Sequence, residues 1–142
     1  EMPSVQGHPE LRIVSGTPVS GAAQGPLKSA YPIDALHGTT STAPLTFEVH
    51  EGQNGFIYLL SGGGRIAGYG LVEGHTLYEL TPGSYTFEPA AASKILCVSA
   101  APIQEKVESY GPFVMNDQTQ IMEAMRDYQM GKMGMLVERD LD

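Results

Sequence analysis

The chain has 142 residues and a formal net charge of -8, with only 8 lysines and arginines, and its mass of 15.2 kDa is that of one ordinary domain. Such an acidic chain repels a phosphate backbone and lacks the basic stripe that nucleic-acid binding requires, so we expect no direct contact with DNA or RNA. No apolar run approaches the roughly 20 residues of a membrane span, and no charged-then-apolar leader opens the chain, so we expect a cytoplasmic protein without membrane contact.

The sequence predicts an N-terminal leader or linker followed by many short strands. Residues 1–9 are polar, contain two prolines and show no periodicity, which predicts a leader or linker and the start of order near Glu10. From there to about residue 101, β-branched, aromatic and aliphatic runs alternate with clusters of Gly, Pro, Ser and Thr, as in a sandwich or small barrel. The predicted strands are 10–15, 28–36, 44–50, 55–61, 64–72, 75–80, 84–88 and 94–100.

The run 44–50 shows the alternation of a half-buried strand. Leu45, Phe47 and Val49 share one face. Thr46, Glu48 and His50 share the other face. One face of this strand is therefore apolar, and the other is functional or solvated.

The only cysteine, Cys97, lies in the apolar run Ile-Leu-Cys-Val at 95–98, which predicts a buried, inert thiol. A lone cysteine excludes an intramolecular disulfide and agrees with a reducing compartment. Neither a Ser-His-Asp nor a Cys-His constellation can be proposed. The glycine run Ser-Gly-Gly-Gly at 61–64 is read as a hairpin rather than a phosphate loop, because no helix pattern follows it.

One helix is predicted near the end of the chain, at 116–130. Asn116 or Asp117 can cap it, and Asp117 followed three residues later by Gln120 resembles a capping box. Gly131 supplies the C-terminal stop. The charged residues 137–142 are predicted to be a frayed tail.

Several strings of the sequence resemble the C-terminal half of pirin-family proteins. They are Leu-Arg-Ile-Val-Ser-Gly at 11–16, Gly-Phe-Ile-Tyr-Leu-Leu-Ser-Gly at 55–62 and the more specific Tyr-Gly-Pro-Phe-Val-Met-Asn at 110–116, followed by the capped helix with Asp-Tyr at 127–128. The resemblance covers roughly residues 10–136, which we take as the domain.

This resemblance implies an all-β, cupin-type double-stranded β-helix, a jelly-roll barrel, with one C-terminal α-helix. Pirins are bicupins, with two such barrels packed face to face, and the N-terminal barrel holds iron while the C-terminal barrel usually holds no metal. The family includes transcriptional coregulators and quercetin dioxygenase-like enzymes. The sequence departs from the family pattern by lacking the N-terminal barrel.

A metal site can still be sought by laying the cupin ligand pattern on the sequence. The first two histidine positions then fall on Glu48 and His50, the acidic position falls on Asn54, and the later strand offers Thr86 and Glu88. Two ligands on one strand must be two residues apart to share a face, and both strands satisfy that condition. Glu48, His50 and Glu88 are thus the candidate ligands of a divalent ion such as iron, and the competing interpretation is a set of solvated side chains with no cofactor.

Three hypotheses follow. The first is a binding module without a complete metal site that pairs with a second cupin barrel, as a homodimer or with another protein. The alternative is a metal-dependent, quercetin dioxygenase-like oxidoreductase with a degenerate cupin site. A third possibility is a fragment of a longer two-barrel protein whose role is packing between domains.

Overall fold

The structure is a computed structural model that describes residues 1–134, so the predicted tail 137–142 lies outside the described part. The chain divides into two units, Glu1–Pro102 and Ile103–Asp142. Each unit is described by itself.

The first unit is built from antiparallel strands. In chain order they are β1 (Ser4–Val5), β2 (His8–Ser15), β3 (Ile33–Thr39), β4 (Leu45–Val49), β5 (Asn54–Ser61), β6 (Gly63–Ile66), β7 (Gly70–Glu73), β8 (Thr76–Leu80), β9 (Gly83–Pro89) and β10 (Lys94–Ala100). They form a six-stranded sheet in the order β1-β2-β3-β10-β5-β8 and a four-stranded sheet in the order β4-β9-β6-β7. The prediction of an all-β fold is confirmed.

The two sheets bury their apolar faces against one core. Leu45, Phe47 and Val49 of β4 are buried, as the alternation in 44–50 predicts. Ile57 of β5 and Phe87 of β9 are fully buried in the same core. Alternation in each strand therefore fixes which side chains face inward.

Two predicted strands differ from the structure by more than one or two residues at an end. The run predicted as 28–36 becomes β3 at Ile33–Thr39, because Pro32 has no N–H for the ladder and the preceding residues form a loop. The run predicted as 64–72 is divided into β6 and β7 by a turn around Gly68, whose φ is +85°.

Order begins earlier than the predicted Glu10. Strand β1 pairs with β2, and Val5 is buried in the core. His8 is only 1% exposed, although it lies in the polar segment 1–9, and its Nδ1 accepts a hydrogen bond from the Ser41 N–H at 3.0 Å. The sequence analysis did not predict β1, because a two-residue strand is too short to show periodicity. That residues 1–9 link to a preceding segment stays a prediction.

The second unit contains the hairpin of β11 (Glu108–Tyr110) and β12 (Phe113–Met115), followed by helix α1 (Gln118–Gln129). The predicted cap is confirmed, since the Asp117 side chain accepts a hydrogen bond from the Gln120 N–H at 2.9 Å. Gly131 follows the helix with a φ of +70°. No helix in the described residues has the length and apolar content needed to cross a membrane.

Candidate functional site at one end of the β-sandwich

The structure does not bring Glu48, His50 and Glu88 together. In the register of β4 and β9, Glu48 lies opposite Ser84, so Glu88 is four residues, or about 13 Å, further along the strand. Their neighbours Phe47 and Phe87 point into the core, and alternation turns both glutamates to the opposite face. As a ligand set, these three residues lack the convergence that a metal ion requires.

His50 instead lies beside a carboxylate that the sequence analysis did not single out. Asp34 of β3 is 6% exposed, and its Oδ2 lies 3.8 Å from His50 Nε2. Asp34 Oδ1 accepts a hydrogen bond from the Thr17 N–H at 2.6 Å, and Oδ2 accepts one from Gln53 Nε2 at 2.9 Å. The Gln53 amide oxygen in turn accepts from the Ser99 hydroxyl at 2.9 Å. We call these five residues the Asp34 cluster.

The strand register explains why the Asp34 cluster forms. Asp34 of β3 lies opposite Ser99 of β10, and both side chains share the inward face with Leu36 and Cys97. Gln53, just before β5, is 7% exposed and joins the pair. Buried polar groups are stable only when they are hydrogen-bonded, and each buried side-chain polar atom in the described residues has a partner.

A feature of the sequence could have revealed Asp34. In the run Ile-Asp-Ala-Leu at 33–36, period-2 alternation places Asp34 on the same face as Leu36. A carboxylate on a core-facing position needs donors. That signal predicts a polar cluster, but it does not name Gln53 or Ser99.

The interior next to the Asp34 cluster is almost filled. A cavity of only about 10 Å³ lies between the sheets there, lined by residues that include Asp34, Phe47 and Cys97. Cys97 is buried, as predicted, and this burial raises the pKa of its thiol above the ordinary value, so the thiol stays protonated. A cavity of this size has no room for a substrate.

A larger, open cleft of about 520 Å³ lies on the outer side of the Asp34 cluster. Its lining includes Thr17, Lys28, Tyr31, His50 and Gln53. The side chain of His50 is 42% exposed and reaches both this cleft and Asp34. His50 thus connects the buried carboxylate with solvent.

The donor chemistry of this region does not fit a metal centre. Both oxygens of Asp34 are already hydrogen-bonded by the Thr17 N–H and by Gln53 Nε2, and His50 is the only imidazole beside them among the described residues. Residues 1–134 contain no group of three His, Cys, Asp or Glu side chains placed to hold an ion. We derive no chemistry from a metal here.

Two antiparallel sheets enclosing one core, with polar side chains at one end of the interior, define a cupin-type β-sandwich, the class of the double-stranded β-helix. The family model of the pirin C-terminal cupin domain matches residues 39–134. The chain belongs to this pirin C-terminal cupin family.

Named relatives agree with this assignment. A pirin-like protein of Solanum lycopersicum is 34% identical over 91 residues, which cover 61% of this chain and 31% of that protein. Pirin-like protein 2 of Arabidopsis thaliana is 29% identical over 136 residues, which cover 88% of this chain and 42% of that protein. A solved quercetin 2,3-dioxygenase of Acinetobacter baumannii superposes with a TM-score of 0.76 at 29% identity, over 89% of this chain and 44% of that one. The chain spans less than half the length of each.

Proposed function

We propose that this chain is a binding module that pairs with a second cupin barrel, and that a second copy of the chain supplies that barrel. The single observation that supports the proposal is an apolar patch on the outer face of the six-stranded sheet. Isolated antiparallel sheets commonly present polar side chains on their solvent face, so an apolar outer face favours a covering partner.

The apolar patch consists of Phe56 and Tyr58 of β5, Leu96 and Val98 of β10, and Leu77 of β8. The strand register makes it continuous, because Val98 lies opposite Phe56 and Leu96 lies opposite Tyr58. Tyr58 is also opposite Leu77, which is 50% exposed, and the other four side chains are half-buried. The inward faces of the same strands carry the core, so these side chains point away from it.

A second cupin barrel is the occupant that agrees with the comparisons. The match to Pirin-like protein 2 covers 88% of this chain but only 42% of that relative, which leaves more than a domain's length beyond the match. A second copy of the chain would bring a barrel of the same size. Homodimers with two-fold symmetry bury the same patch on both subunits, so a single apolar patch on the chain is enough for pairing. A cytoplasmic location, in which the Cys97 thiol stays reduced, is part of this proposal.

Sedimentation velocity tests the pairing. We expect the wild-type chain to sediment as a dimer of the 15.2 kDa chain. Leu77→Glu places a charge in the apolar patch and should weaken the dimer by about 2 kcal/mol, or about thirtyfold in Kd. The matched control is Leu71→Glu, because Leu71 is 84% exposed on β7 in the other sheet and should leave the dimer intact. A wild-type monomer, or equal effects of the two variants, would contradict the proposal.

The second candidate is a metal-dependent dioxygenase, favoured by the 29% identity to the quercetin 2,3-dioxygenase. Elemental analysis of protein purified without chelators or a histidine tag separates the two candidates. The binding module predicts iron, nickel, copper and zinc far below one per chain, with no difference between wild type and His50→Ala. One metal ion per chain that is lost in His50→Ala would instead favour the dioxygenase and its predicted ligands.

A further inference from the structure

The apolar patch ends in a carboxylate at the edge of the six-stranded sheet. Glu79 of β8 lies opposite Phe56 in the strand register. Its neighbours Tyr78 and Leu80 pack against the core, so alternation turns the Glu79 side chain to the outer face. The side chain is exposed, and its carboxylate forms no ion pair within the described residues. A negative charge therefore lies at the β8 side of the apolar patch without a cation of its own.

The surface beside this carboxylate is concave. An open depression of about 710 Å³, which we call the Glu79 hollow, has a lining that includes Phe56, Tyr69, Leu77 and Glu79. The Tyr69 hydroxyl donates a hydrogen bond to the Glu79 backbone oxygen at 2.8 Å, which holds the tyrosine ring at this edge. Among the described residues that line the hollow, Glu79 alone carries a charge. A carboxylate beside two aromatic rings favours a cation.

The opposite end of the apolar patch carries a cation. Lys94 is the first residue of β10 and alternates with the buried Ile95 and Cys97, so its side chain shares the outer face with Leu96. Lys94 is exposed and, within residues 1–134, forms no ion pair. The outer face therefore has one unpaired charge of each sign, at opposite ends of the same patch.

The strand register keeps these two charges apart within one chain. Lys94 and Val98 are four residues, or about 13 Å, apart along β10. Val98, Phe56 and Glu79 then lie side by side across three strands, which adds about 10 Å in the perpendicular direction. The two backbone positions are thus about 16 Å apart, which is too far for a lysine and a glutamate to pair.

We propose that Lys94 of each copy in the homodimer enters the Glu79 hollow of the other copy and pairs with its carboxylate. This inference rests on the pairing proposed above, and it names the contact that orients the two copies. A two-fold axis that lies between the facing sheets, midway between Lys94 and Glu79, exchanges the two positions, so both ion pairs form together. Complementary charges of this kind fix the register of an interface and disfavour wrong partners.

Charge reversal, followed by sedimentation velocity, tests the ion pair. Glu79→Lys should weaken the dimer by at least about tenfold in Kd, because it places an ammonium group against Lys94 of the other copy. The same substitution changes the net charge of the chain from -8 to -6, so a mere decrease in overall repulsion would strengthen the dimer instead. Lys94→Glu should weaken the dimer by a similar factor. The double variant Glu79→Lys/Lys94→Glu restores both pairs with reversed sign, and its Kd should return to within about threefold of the wild type.

Lys28→Glu is the matched control for Lys94→Glu. Lys28 is exposed and lies in the loop before β3, where it lines the cleft beside His50. The substitution makes the same change in net charge and should alter Kd by less than about twofold. All of the replaced side chains are exposed, so the variants are expected to fold, and circular dichroism verifies this. Glu79→Gln removes the charge at nearly constant size and should weaken the dimer less than Glu79→Lys does.

The outcomes separate the ion pair from the pairing itself. If the wild type is a dimer, the ion pair is overturned by a Glu79→Lys dimer that is as tight as the wild type. It is also overturned by a double variant that is no tighter than the single variants, or by equal effects of Lys28→Glu and Lys94→Glu. Each of these results leaves the proposed pairing in place. A monomeric wild type would overturn the pairing and the ion pair together.

Discussion

Asp34→Ala is expected to lower the free energy of unfolding by about 2 to 5 kcal/mol. The substitution leaves the Thr17 N–H and the Gln53 amide N–H without the carboxylate oxygens that accept from them. Gln53 is buried, so leaving its amide N–H unsatisfied costs about 1 to 3 kcal/mol, and the hydrogen bond lost from the N–H of the exposed Thr17 adds about 1 to 2 kcal/mol. Urea denaturation followed by circular dichroism measures the change. The slope of the unfolding free energy against urea concentration should be the same as in the wild type.

The matched control for Asp34→Ala is Glu48→Ala on the neighbouring sheet. The Glu48 carboxylate is half-buried but makes no hydrogen bond or ion pair within the described residues, so its removal should cost less than about 1 kcal/mol. The double variant Asp34→Ala/Gln53→Ala should lose less than the sum of the two single variants, because the residues interact directly. Additive losses would show that the hydrogen bond between them contributes nothing to stability.

The parts of the fold that the sequence predicted are those set by local periodicity. Alternation in 44–50 identified the buried face of β4, and the spacing of Asp117 and Gln120 identified the start of α1. Both signals lie within a few neighbouring residues. Neither requires knowledge of which strands pair.

The Asp34 cluster could not be assembled from the sequence, because its members come from distant parts of the chain. Asp34 and Gln53 are 19 residues apart, and Gln53 and Ser99 are 46 residues apart. Their meeting depends on the register of β3 with β10, which periodicity does not specify. The same limit explains why Glu48 and Glu88 were predicted as ligands of one metal ion although the structure keeps them apart. Period 2 placed both on equivalent faces of their strands, but it does not give the register of β4 with β9, in which Glu48 lies opposite Ser84.

Gly16→Ala is expected to destabilise the first unit by about 2 to 5 kcal/mol. The φ of Gly16 is +64°, a left-handed conformation that costs an L residue about 1 to 2 kcal/mol. A Cβ at this position would also collide with Asp34 Oδ1 and lie 2.8 Å from the Ile33 oxygen. The Asp34 carboxylate and the start of β3 would therefore have to move. Overpacking of this kind adds about 1 to 3 kcal/mol. Urea denaturation gives the loss of stability, and amide NMR shows whether the Thr17 resonance moves.

Gly21→Ala separates the two contributions at Gly16. Gly21 has a similar φ of +74°, but a Cβ there would meet no atom within 4 Å, so only the backbone cost of about 1 to 2 kcal/mol remains. The excess loss in Gly16→Ala over Gly21→Ala then measures the collision with the Asp34 carboxylate. Equal losses of stability in the two variants would mean that the Asp34 carboxylate can move aside freely, and the Asp34 cluster would then not be held rigidly by its hydrogen bonds.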